Sequence, residues 1–424
     1  MEAPRFRVIS RVMDAVTPLT ALAARRVLLI VSGGIAAYKA PDVVRRLRDA
    51  GAEVQVVMTP AAGAFITPLS LQAVSGREVR AELFDPAAEA AMGHIELARW
   101  ADVVLIAPAT ADFLARLRLG LANDLASAVC LASEAPILAA PAMNQQMWKH
   151  PATQDNLAAL AARGLHIAGP GAGSQACGEV GPGRMLEALE ICAATAALFE
   201  RGLLTGRRVL LTAGPTREPI DPVRYISNHS SGKMGYALAT ALREAGALVT
   251  LISGPTILPP PAGVSMVAVE TAQQMHEAVM ARLPTDIFVA TAAVADYRVD
   301  HAAVNKIKRR DSVLELKLVP NEDILKCVAA TVPPPFTVGF AAETNDVEQH
   351  ARDKLERKAI DMVAANLVGG ANVGFNADDN ELLVIWRGGS LHLPRTTKTR
   401  LARALVDVIA ARYAARAAIE CAVP

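Results

Sequence analysis

The stretch VLLIVSGGIAAYK, residues 27–39, decides the fold of the first half of the chain. Five apolar residues run into Ser32-Gly33-Gly34, a helical pattern continues through Leu47, and a second apolar run occupies residues 54–58. Short apolar runs bounded by glycine are typical of buried strands, and the periodic segment between them is typical of a covering helix. The stretch therefore predicts a βαβ unit with parallel strands.

The same plan returns in the second half, with apolar runs at residues 209–212 and 248–253 around a long polar loop and a helical pattern. The helix ends correspond as well, because LRDAGA and LREAGA both place Gly at a helix C-terminus. Buried parallel strands covered by helices predict an α/β fold with two tandem doubly wound, mostly parallel-sheet (Rossmann-like) domains. Further buried-strand candidates lie at residues 103–107, 137–140, 287–290 and 337–340.

The chain has 424 residues, which allows two or three domains at roughly 100 to 200 residues per domain. We place the boundary in a short linker between the two sets of strands. The predicted domains are residues 25–202 and 203–424, preceded by an N-terminal extension, residues 1–24. The extension has an apolar segment interrupted by charge and proline, which favours a loose tail over a targeting peptide. A hairpin turn at residues 387–390 and a closing helix at 398–417 complete the second domain.

Composition excludes several classes of protein. Lys and Arg number 43 against 42 Asp and Glu, so no global charge attracts nucleic acid or an anionic membrane. Aromatic residues are only 4%, which argues against base stacking on aromatic platforms. The five cysteines form no C-x-x-C pair, which makes a disulfide framework or a zinc site improbable. No run of 18 apolar residues occurs, so we expect a cytoplasmic protein without a membrane-spanning helix. Without a global charge, its partners must be inferred from local sites, and we expect them to be small molecules.

Small and polar residues follow the strands of the first half, at the sheet edge where open parallel sheets bind ligands. The Gly33-Gly34 turn lets backbone N–H groups approach an anion at a helix start. A tight turn that needs glycine only for its geometry explains the same residues equally well. PATAD at residues 108–112 and PAMN at residues 141–144 bring further polar groups to that edge.

Two residues of the first half could carry chemistry. His94, in GHIEL, would alone be more often a structural histidine. Cys177, in GSQACG, lies in a glycine-rich loop with little core to fill, so we interpret it as a chemical group on a flap.

Five ordered motifs within residues 27–199 resemble the flavin-containing cysteine decarboxylases, in particular the phosphopantothenoylcysteine decarboxylase portion of bifunctional coenzyme A biosynthesis proteins. The motifs are SGGIAAYK, GHIEL, PATAD, PAMN and GSQACG. The resemblance implies that His94 acts in oxidative decarboxylation, Asn144 binds the substrate carboxylate and Cys177 supplies a proton. It assigns binding of the cofactor FMN to Ser32, Gly33, Gly34, Ala36, Thr59, Pro108, Ala109 and Thr110.

The chemistry of these groups agrees with that resemblance. Loss of CO2 from an unactivated carboxylate needs an electron acceptor, and FMN supplies one by oxidising the cysteinyl thiol of the substrate. A thiol with an ordinary pKa is mostly protonated at neutral pH. Cys177 could therefore donate the proton that the reduced product requires.

The second half contains an unusually long strand-to-helix connection, AGPTREPIDPVRYISNHSSGKMG at residues 213–235. Such connections usually have about two to six residues, and long ordered loops are usually functional. Its Ser231-Gly232-Lys233 segment does not complete a phosphate-loop motif, because Ser227 stands where glycine is required and Met234 follows the lysine. Phosphate binding at the start of the next helix remains open.

From residue 208 to the end, the sequence resembles the phosphopantothenate-cysteine ligase portion of the same proteins, chiefly through that long loop. The resemblance implies that CTP is a cosubstrate, that Asn228 contacts phosphopantothenate and the acyl-cytidylate, and that Lys306 serves the activation step. Glu322 stands where the family commonly has Pro. CTP binding is assigned to Ala292, Ala293, Asp296, Lys306, Glu322, Asp323, Ile324, Leu325, Phe340, Lys354 and Lys358.

Transfer of a carboxylate to the α-phosphate of CTP releases pyrophosphate, whose charge requires Lys and Mg²⁺. We therefore predict an enzyme that ligates 4′-phosphopantothenate with cysteine and then decarboxylates the product. The alternatives are one active enzyme with a degenerate half and a non-enzymatic FMN-binding scaffold. We expect no nucleic-acid or membrane partner. The resemblance implies a homo-oligomer with a trimer-based decarboxylase core, a dodecamer being one such assembly, and dimeric ligase domains.

Overall fold

A computed structural model describes residues 19–83, 93–176, 178–200, 202–308, 313–343, 346–367 and 378–422. The chain divides into two compact units, Met1–Phe199 and Glu200–Pro424. The predicted boundary between residues 202 and 203 falls close to this division. No helix in the described ranges is long and apolar enough to cross a membrane.

The first unit is built on a five-stranded parallel sheet in the order β2-β1-β3-β4-β5, with a separate antiparallel hairpin β6-β7. Its strands are β1 (Arg26–Val31), β2 (Glu53–Met58), β3 (Val103–Ala109), β4 (Ile137–Pro141), β5 (His166–Ile167), β6 (Gly171–Ser174) and β7 (Val180–Arg184). Its helices are α1 (Ala40–Asp49), α2 (Pro68–Ser75), α3 (His94–Trp100), α4 (Ala111–Leu119), α5 (Leu125–Ala132), α6 (Gln145–Lys149), α7 (Pro151–Ala162) and α8 (Ala188–Ala197). Short 3₁₀ turns occupy Leu19–Leu22, Ile35–Lys39 and Pro60–Ala64.

Both faces of this sheet are buried. Leu29 of β1 belongs to the hydrophobic cluster on one face, and Leu28 belongs to the cluster on the other. Successive side chains of a strand point to opposite faces, so a continuous apolar run is the pattern expected of a sheet covered by helices on both sides. The glycine turn after β1 enters a 3₁₀ turn, Ile35–Lys39, before α1 begins.

The folded part of the first unit begins at or before residue 19, within the range predicted to be an extension, residues 1–24. Leu19–Leu22 forms a 3₁₀ turn, and Ala21 and Leu22 are buried in the hydrophobic cluster around α1 and α8. Residues 19–24 therefore belong to the folded first unit, because their apolar side chains complete its core. Residues 1–18 lie outside the described residues.

The second unit contains an eight-stranded mixed sheet in the order β12-β11-β8-β13-β16-β17-β18-β19. Its strands are β8 (Arg208–Ala213), β9 (Arg217–Pro219), β10 (Tyr225–Ser227), β11 (Leu248–Ser253), β12 (Ser265–Ala268), β13 (Ile287–Ala290), β14 (Tyr297–Val299), β15 (Leu318–Pro320), β16 (Phe336–Glu343), β17 (Met362–Leu367), β18 (Asp379–Trp386) and β19 (Gly389–Thr397). Its helices are α9 (Lys233–Glu244), α10 (Ala272–Met280), α11 (Ile324–Ala329), α12 (Val347–Arg357) and α13 (Lys398–Ala422).

The six strands from β12 to β17 pair in parallel, and β18 and β19 extend the sheet as an antiparallel hairpin. Leu211 and Leu210 of β8 point into two different clusters, so this sheet is also covered on both faces. The hairpin turn is shorter than expected, because Trp386 already pairs with Gly389. The closing helix runs five residues beyond its predicted end at 417.

The prediction of two tandem doubly wound, mostly parallel-sheet units is confirmed. In each unit the chain reverses its direction of strand addition beside the first strand, between β1 and β3 and between β8 and β13. Such switch points leave a crevice outside the carboxyl ends of the two strands, which is where open α/β sheets bind ligands. The fold therefore places one candidate site in each unit.

Candidate functional sites

The first unit has a cavity of about 1040 Å³ at the carboxyl ends of β1 and β3. Its wall includes the glycine turn after β1, the loop after β2, the start of α4, the loop after β4 and the β6-β7 hairpin. Of the predicted FMN and substrate residues, the cavity is lined by Ser32, Gly33, Gly34, Ala36, Thr59, Thr110 and Asn144. Five chain segments that are distant in sequence thus meet at one edge of the sheet.

Ser32 fixes the floor of this cavity. The side chain is 1% exposed, and its Oγ donates to the carbonyl of Pro108 at 2.7 Å and accepts from the Thr110 backbone N–H at 3.1 Å. Thr110 then caps α4, accepting the Phe113 N–H on its Oγ1 at 3.4 Å. The start of α4 is consequently held beside the glycine turn, where its unpaired N–H groups favour an anion.

Thr59 provides a test of whether a polar cofactor fits here. Its Oγ1 is buried and has no hydrogen-bond partner among the described atoms, although Thr59 lies on the cavity wall. Buried polar groups are nearly always paired, so this hydroxyl is available to a polar group of a bound molecule. The cavity is large enough for FMN, and its small side chains at residues 33, 34 and 36 leave room for it.

Asn144 lies at the N-terminus of α6, opposite the β6-β7 hairpin. Its Oδ1 accepts the Gln146 N–H at 2.7 Å and caps the helix, so its amide Nδ2 is turned outward. That Nδ2 donates to Glu179 Oε2 at 2.8 Å. Hydrogen bonds from Asn144 and Gln145 hold the pKa of Glu179 below its ordinary value.

Not every predicted residue reaches the cavity wall. Pro108 and Ala109 lie behind it, in β3, where Pro108 supplies the carbonyl that accepts from Ser32. His94 is half-buried at the first position of α3 and is not among the described residues that line the cavity. Cys177 lies outside the described residues. The proposed roles of His94 and Cys177 therefore stay predictions from the sequence.

The sequence motifs assign no role to two cations of this wall, Lys39 and Arg116. Lys39 pairs with Glu187 at 2.9 Å, and Arg116 bridges Asp112 at 3.0 Å and Asp124 at 3.1 Å. Each of these cations occurs in a helical segment, where it has the pattern of an ordinary surface residue. Only the strand order shows that they border the cavity.

The second unit has two adjoining cavities at the carboxyl ends of β8 and β13, of about 530 Å³ and 490 Å³. We call the larger the nucleotide cavity, after the CTP residues that the sequence resemblance predicts, and the smaller the helix-start cavity. They share four residues: Ala292, Asp296, Phe340 and Lys354. A ligand in one cavity would thus meet a ligand in the other at this common wall.

The nucleotide cavity contains most of the predicted CTP residues. Ala293 lines the helix-start cavity instead, beside Asn228. The residues that line the nucleotide cavity are Ala292, Asp296, Glu322, Asp323, Ile324, Leu325, Phe340, Lys354 and Lys358.

Hydrogen bonds tie the long loop after β8 to the loop after β13. The Ala295 N–H donates to Thr216 Oγ1 at 3.0 Å, and Thr216 is fully buried. Asn228 Nδ2 donates to the Val294 carbonyl at 3.0 Å. The long loop predicted to be functional is therefore ordered against the second loop of the switch point, and Asn228 is brought to the cavity wall by this contact.

Two lysines of α12 and its C-cap point toward the nucleotide cavity. Lys354 Nζ donates to the Phe340 carbonyl at 2.5 Å, and Lys358 Nζ lies 2.9 Å from Asp323 Oδ2. Burial alone would raise the pKa of Asp323, but hydrogen bonds from Lys358 and from the Lys326 N–H hold it below its ordinary value. Lys354 and Lys358, four residues apart in the sequence, therefore both lie at this cavity.

The helix-start cavity surrounds the N-terminus of α9. Lys233 pairs with Asp378 at 2.6 Å, and Lys398, only 7% exposed, begins α13 on the same wall. Burial and the nearby Lys233 hold the pKa of Lys398 below its ordinary value. Asn380 is 5% exposed, and its Oδ1 has no partner in the described part of the chain. No sequence motif predicts Lys398 or Asn380 as a site residue.

Lys306 is not on the wall of either cavity among the residues described. It is exposed on the loop after β14, next to Ile307. The Ile307 N–H donates to Asp221 Oδ2 at 3.1 Å, and Arg224 Nη1 donates to the Ile307 carbonyl at 3.2 Å. The backbone beside Lys306 is thus anchored to the long loop, but its predicted role stays a prediction.

No group of three or more His, Cys, Asp or Glu residues within the described ranges could hold a metal ion by itself. The acids at the nucleotide cavity are Asp296, Glu322 and Asp323. Magnesium usually takes one or two protein carboxylates and completes its shell with substrate phosphates and water. Magnesium held mainly by the phosphates of CTP would therefore need no preformed cluster of acids.

Comparison with known proteins separates the same two parts. Residues 16–200 match the family model described as Flavoprotein, and residues 204–413 match the DNA/pantothenate metabolism flavoprotein C-terminal domain. A solved C-terminal domain of a coenzyme A biosynthesis bifunctional protein CoaBC is 41% identical, with a TM-score of 0.43, covering 49% of this chain and 96% of that one.

Two full-length relatives match nearly throughout. The coenzyme A biosynthesis bifunctional protein CoaBC of Vibrio cholerae is 56% identical over 395 residues, which is 92% of this chain and 99% of that protein. The protein of the same name from Escherichia coli K12 is 55% identical over 398 residues, covering 92% and 98%. Since the identity extends across both units, the chain belongs to the family of bifunctional coenzyme A biosynthesis enzymes, CoaBC.

Proposed function

We propose that the second unit joins 4′-phosphopantothenate to cysteine with CTP, and that the first unit decarboxylates the resulting 4′-phosphopantothenoylcysteine with FMN. The observation that carries the proposal is the placement of the predicted residues. Seven of them line a single cavity in the first unit, and nine line the nucleotide cavity of the second. Two separate cavities in two units favour two activities over one active and one degenerate half.

In the first unit, the glycine turn, Thr59 and the start of α4 would hold FMN, and Asn144 would orient the substrate carboxylate through its amide. FMN supplies an electron acceptor for the substrate thiol and returns the electrons after CO2 leaves. His94 would assist the oxidative step. Cys177 would donate the proton to the product, as a thiol of ordinary pKa can at neutral pH.

In the second unit, CTP would occupy the nucleotide cavity, with Lys354 and Lys358 beside its phosphates. Phosphopantothenate would occupy the helix-start cavity. There the N-terminus of α9, Lys233 and Lys398 favour its phosphate. Asn380 Oδ1 has no partner among the described residues, and it would accept a hydrogen bond from a hydroxyl or amide donor of the pantothenate moiety. The substrate carboxylate would then meet the α-phosphate of CTP at the wall that both cavities share.

Several further features belong to the same proposal. Asn228, beside this shared wall, would contact phosphopantothenate and the acyl-cytidylate, and Lys306 would serve the activation step. Mg²⁺ would bind with the CTP phosphates, because such sites take only one or two protein carboxylates. We further propose a cytoplasmic homo-oligomer with a trimer-based decarboxylase core, of which a dodecamer is one form, and dimeric ligase units.

The direct test follows both products in one reaction. The full-length protein is incubated with phosphopantothenate, cysteine, CTP and Mg²⁺, and CMP and CO2 are measured together. We expect equal amounts of CMP and CO2 and a yellow purified protein. CMP without CO2 would show that the first unit is inactive on this product, and absence of both would overturn the proposal.

Lys358→Gln should raise the KM for CTP about tenfold, with a smaller effect on kcat. A charge-assisted hydrogen bond contributes about 1.5–3 kcal/mol, and part of this is offset here because Lys358 also pairs with Asp323. The measurement is pyrophosphate release at varied CTP. An unchanged KM for CTP would contradict the placement of the triphosphate beside Lys358.

A further inference from the structure

Glu179, on the β6-β7 hairpin, accepts a hydrogen bond from the side-chain amide of Asn144. This is the amide that, in the proposed function, binds the substrate carboxylate. Asn144 Nδ2 donates to Glu179 Oε2 at 2.8 Å and lies 3.4 Å from Gln175 Oε1. Gln145 Nε2 donates to the same Glu179 oxygen at 3.1 Å. Both amide hydrogens of Asn144 are thus directed at acceptors of the hairpin.

The hairpin is closely fitted to this position. An added Cβ at Gly181 would overlap Gln145 Oε1, and one at Gly183 would overlap the Met143 carbonyl oxygen. The Met143 N–H donates to the Gly183 carbonyl at 2.9 Å. Glycines at these two positions let the strand approach α6 closely enough for the Glu179 carboxylate to reach Asn144.

The contact is also matched in charge. Hydrogen bonds from Asn144 and Gln145, with Lys149 nearby, hold the pKa of Glu179 below its ordinary value, so the group is ionised at neutral pH. A ligand carboxylate presents the same pair of anionic oxygens. Two carboxylates beside one amide repel each other, so Asn144 cannot bind Glu179 and a ligand carboxylate at the same time.

We propose that Glu179 is an internal competitor of the substrate carboxylate, which holds the Asn144 amide whenever no ligand carboxylate is bound and yields it to one that binds. The inference rests on the proposed decarboxylase site in the first unit. It has a consequence for turnover. The product has lost its carboxylate, so Glu179 can return to Asn144 without competition, and product release is favoured over substrate release.

Two ligands separate this role from a general effect on binding. 4′-Phosphopantothenoylserine carries the carboxylate but lacks the thiol that is oxidised, and 4′-phosphopantetheine lacks the carboxylate. Their affinities for the full-length FMN-loaded protein can be measured by calorimetry without turnover. Glu179→Ala should tighten binding of the serine ligand about threefold to tenfold, because a charged hydrogen-bonding competitor is removed. Binding of phosphopantetheine should not change.

Two more variants complete the experiment. Glu179→Gln keeps an acceptor but loses the charge, so it should tighten the serine ligand to a smaller extent. Glu179 is itself exposed and its carboxylate reaches the cavity through Asn144, so the matched control is Glu134→Ala, which removes an exposed charge at a different cavity of the same unit and should leave both affinities unchanged. Unchanged or weaker binding of the serine ligand by Glu179→Ala would overturn the inference and leave the decarboxylase proposal intact. If the unaltered protein bound neither ligand, the proposed site and this inference would both fall.

Discussion

Replacing Lys354 by Gln is expected to lower CTP-dependent pyrophosphate release about 100- to 1000-fold, the usual cost of removing one group that stabilises developing charge. Lys354 is one of the four residues at the wall shared by the nucleotide and helix-start cavities. Its Nζ is held there by the Phe340 carbonyl. In the proposed reaction, phosphoryl charge would increase at this wall as the carboxylate attacks CTP, so the loss should appear mainly in kcat.

A matched variant distinguishes this effect from a general loss of charge. Lys317→Gln removes a lysine of the same unit that pairs with Asp300 on the β14-β15 hairpin and is 79% exposed. It should leave pyrophosphate release within about twofold, as expected for an exposed ion pair. Decarboxylation of added phosphopantothenoylcysteine should be unaffected in both variants. Equal ligase activity of the Lys354 and Lys317 variants would remove Lys354 from the reaction.

The fold could be predicted because its signals are local. Apolar runs such as residues 27–31 and 209–212 become the central strands β1 and β8, and their burial on both faces needs no knowledge of distant residues. The sequence predicts that α13 ends at residue 417, five residues too early. No glycine or proline within residues 418–422 marks where the helix stops. The sequence assigns residues 19–22 to a loose tail because charge and proline interrupt the preceding segment, and their burial depends on contacts with α8 that no local pattern shows.

The residues alone predict the candidate sites where a side chain follows a strand, whereas Lys354 of α12 and Lys358 at its C-cap are predicted only through the family resemblance. Thr110 and Asn144 follow strands, and strand order brings both to one cavity. Lys398 and Asn380 could not be found in this way, because they occur in a C-terminal helix and in a hairpin far along the chain from α9. Glu179 has the pattern of an ordinary loop acid, and its contact with Asn144 depends on how the hairpin docks.

Gly33→Ala should remove most of the bound flavin and lower decarboxylation about 100-fold. The backbone conformation of Gly33 is not the obstacle. An alanine Cβ would lie 2.6 Å from the Ala61 carbonyl carbon and 2.7 Å from its oxygen, which forces the loops after β1 and β2 apart. Overpacking of this kind costs about 1–3 kcal/mol, and a displacement of about 1 Å at a reacting centre can cost a hundredfold in rate.

Gly63→Ala is the matched control, because Gly63 lies in the same 3₁₀ turn as Ala61 and an added Cβ there meets nothing within 4 Å. Flavin content is read from the visible absorbance of the purified protein, and ligase activity reports whether the second unit is still folded. We expect normal flavin content in the Gly63 variant and normal ligase activity in both. If Gly33→Ala retained its flavin, the close contact between the loops after β1 and β2 would not determine flavin binding. Other parts of the cavity would then have to bind FMN.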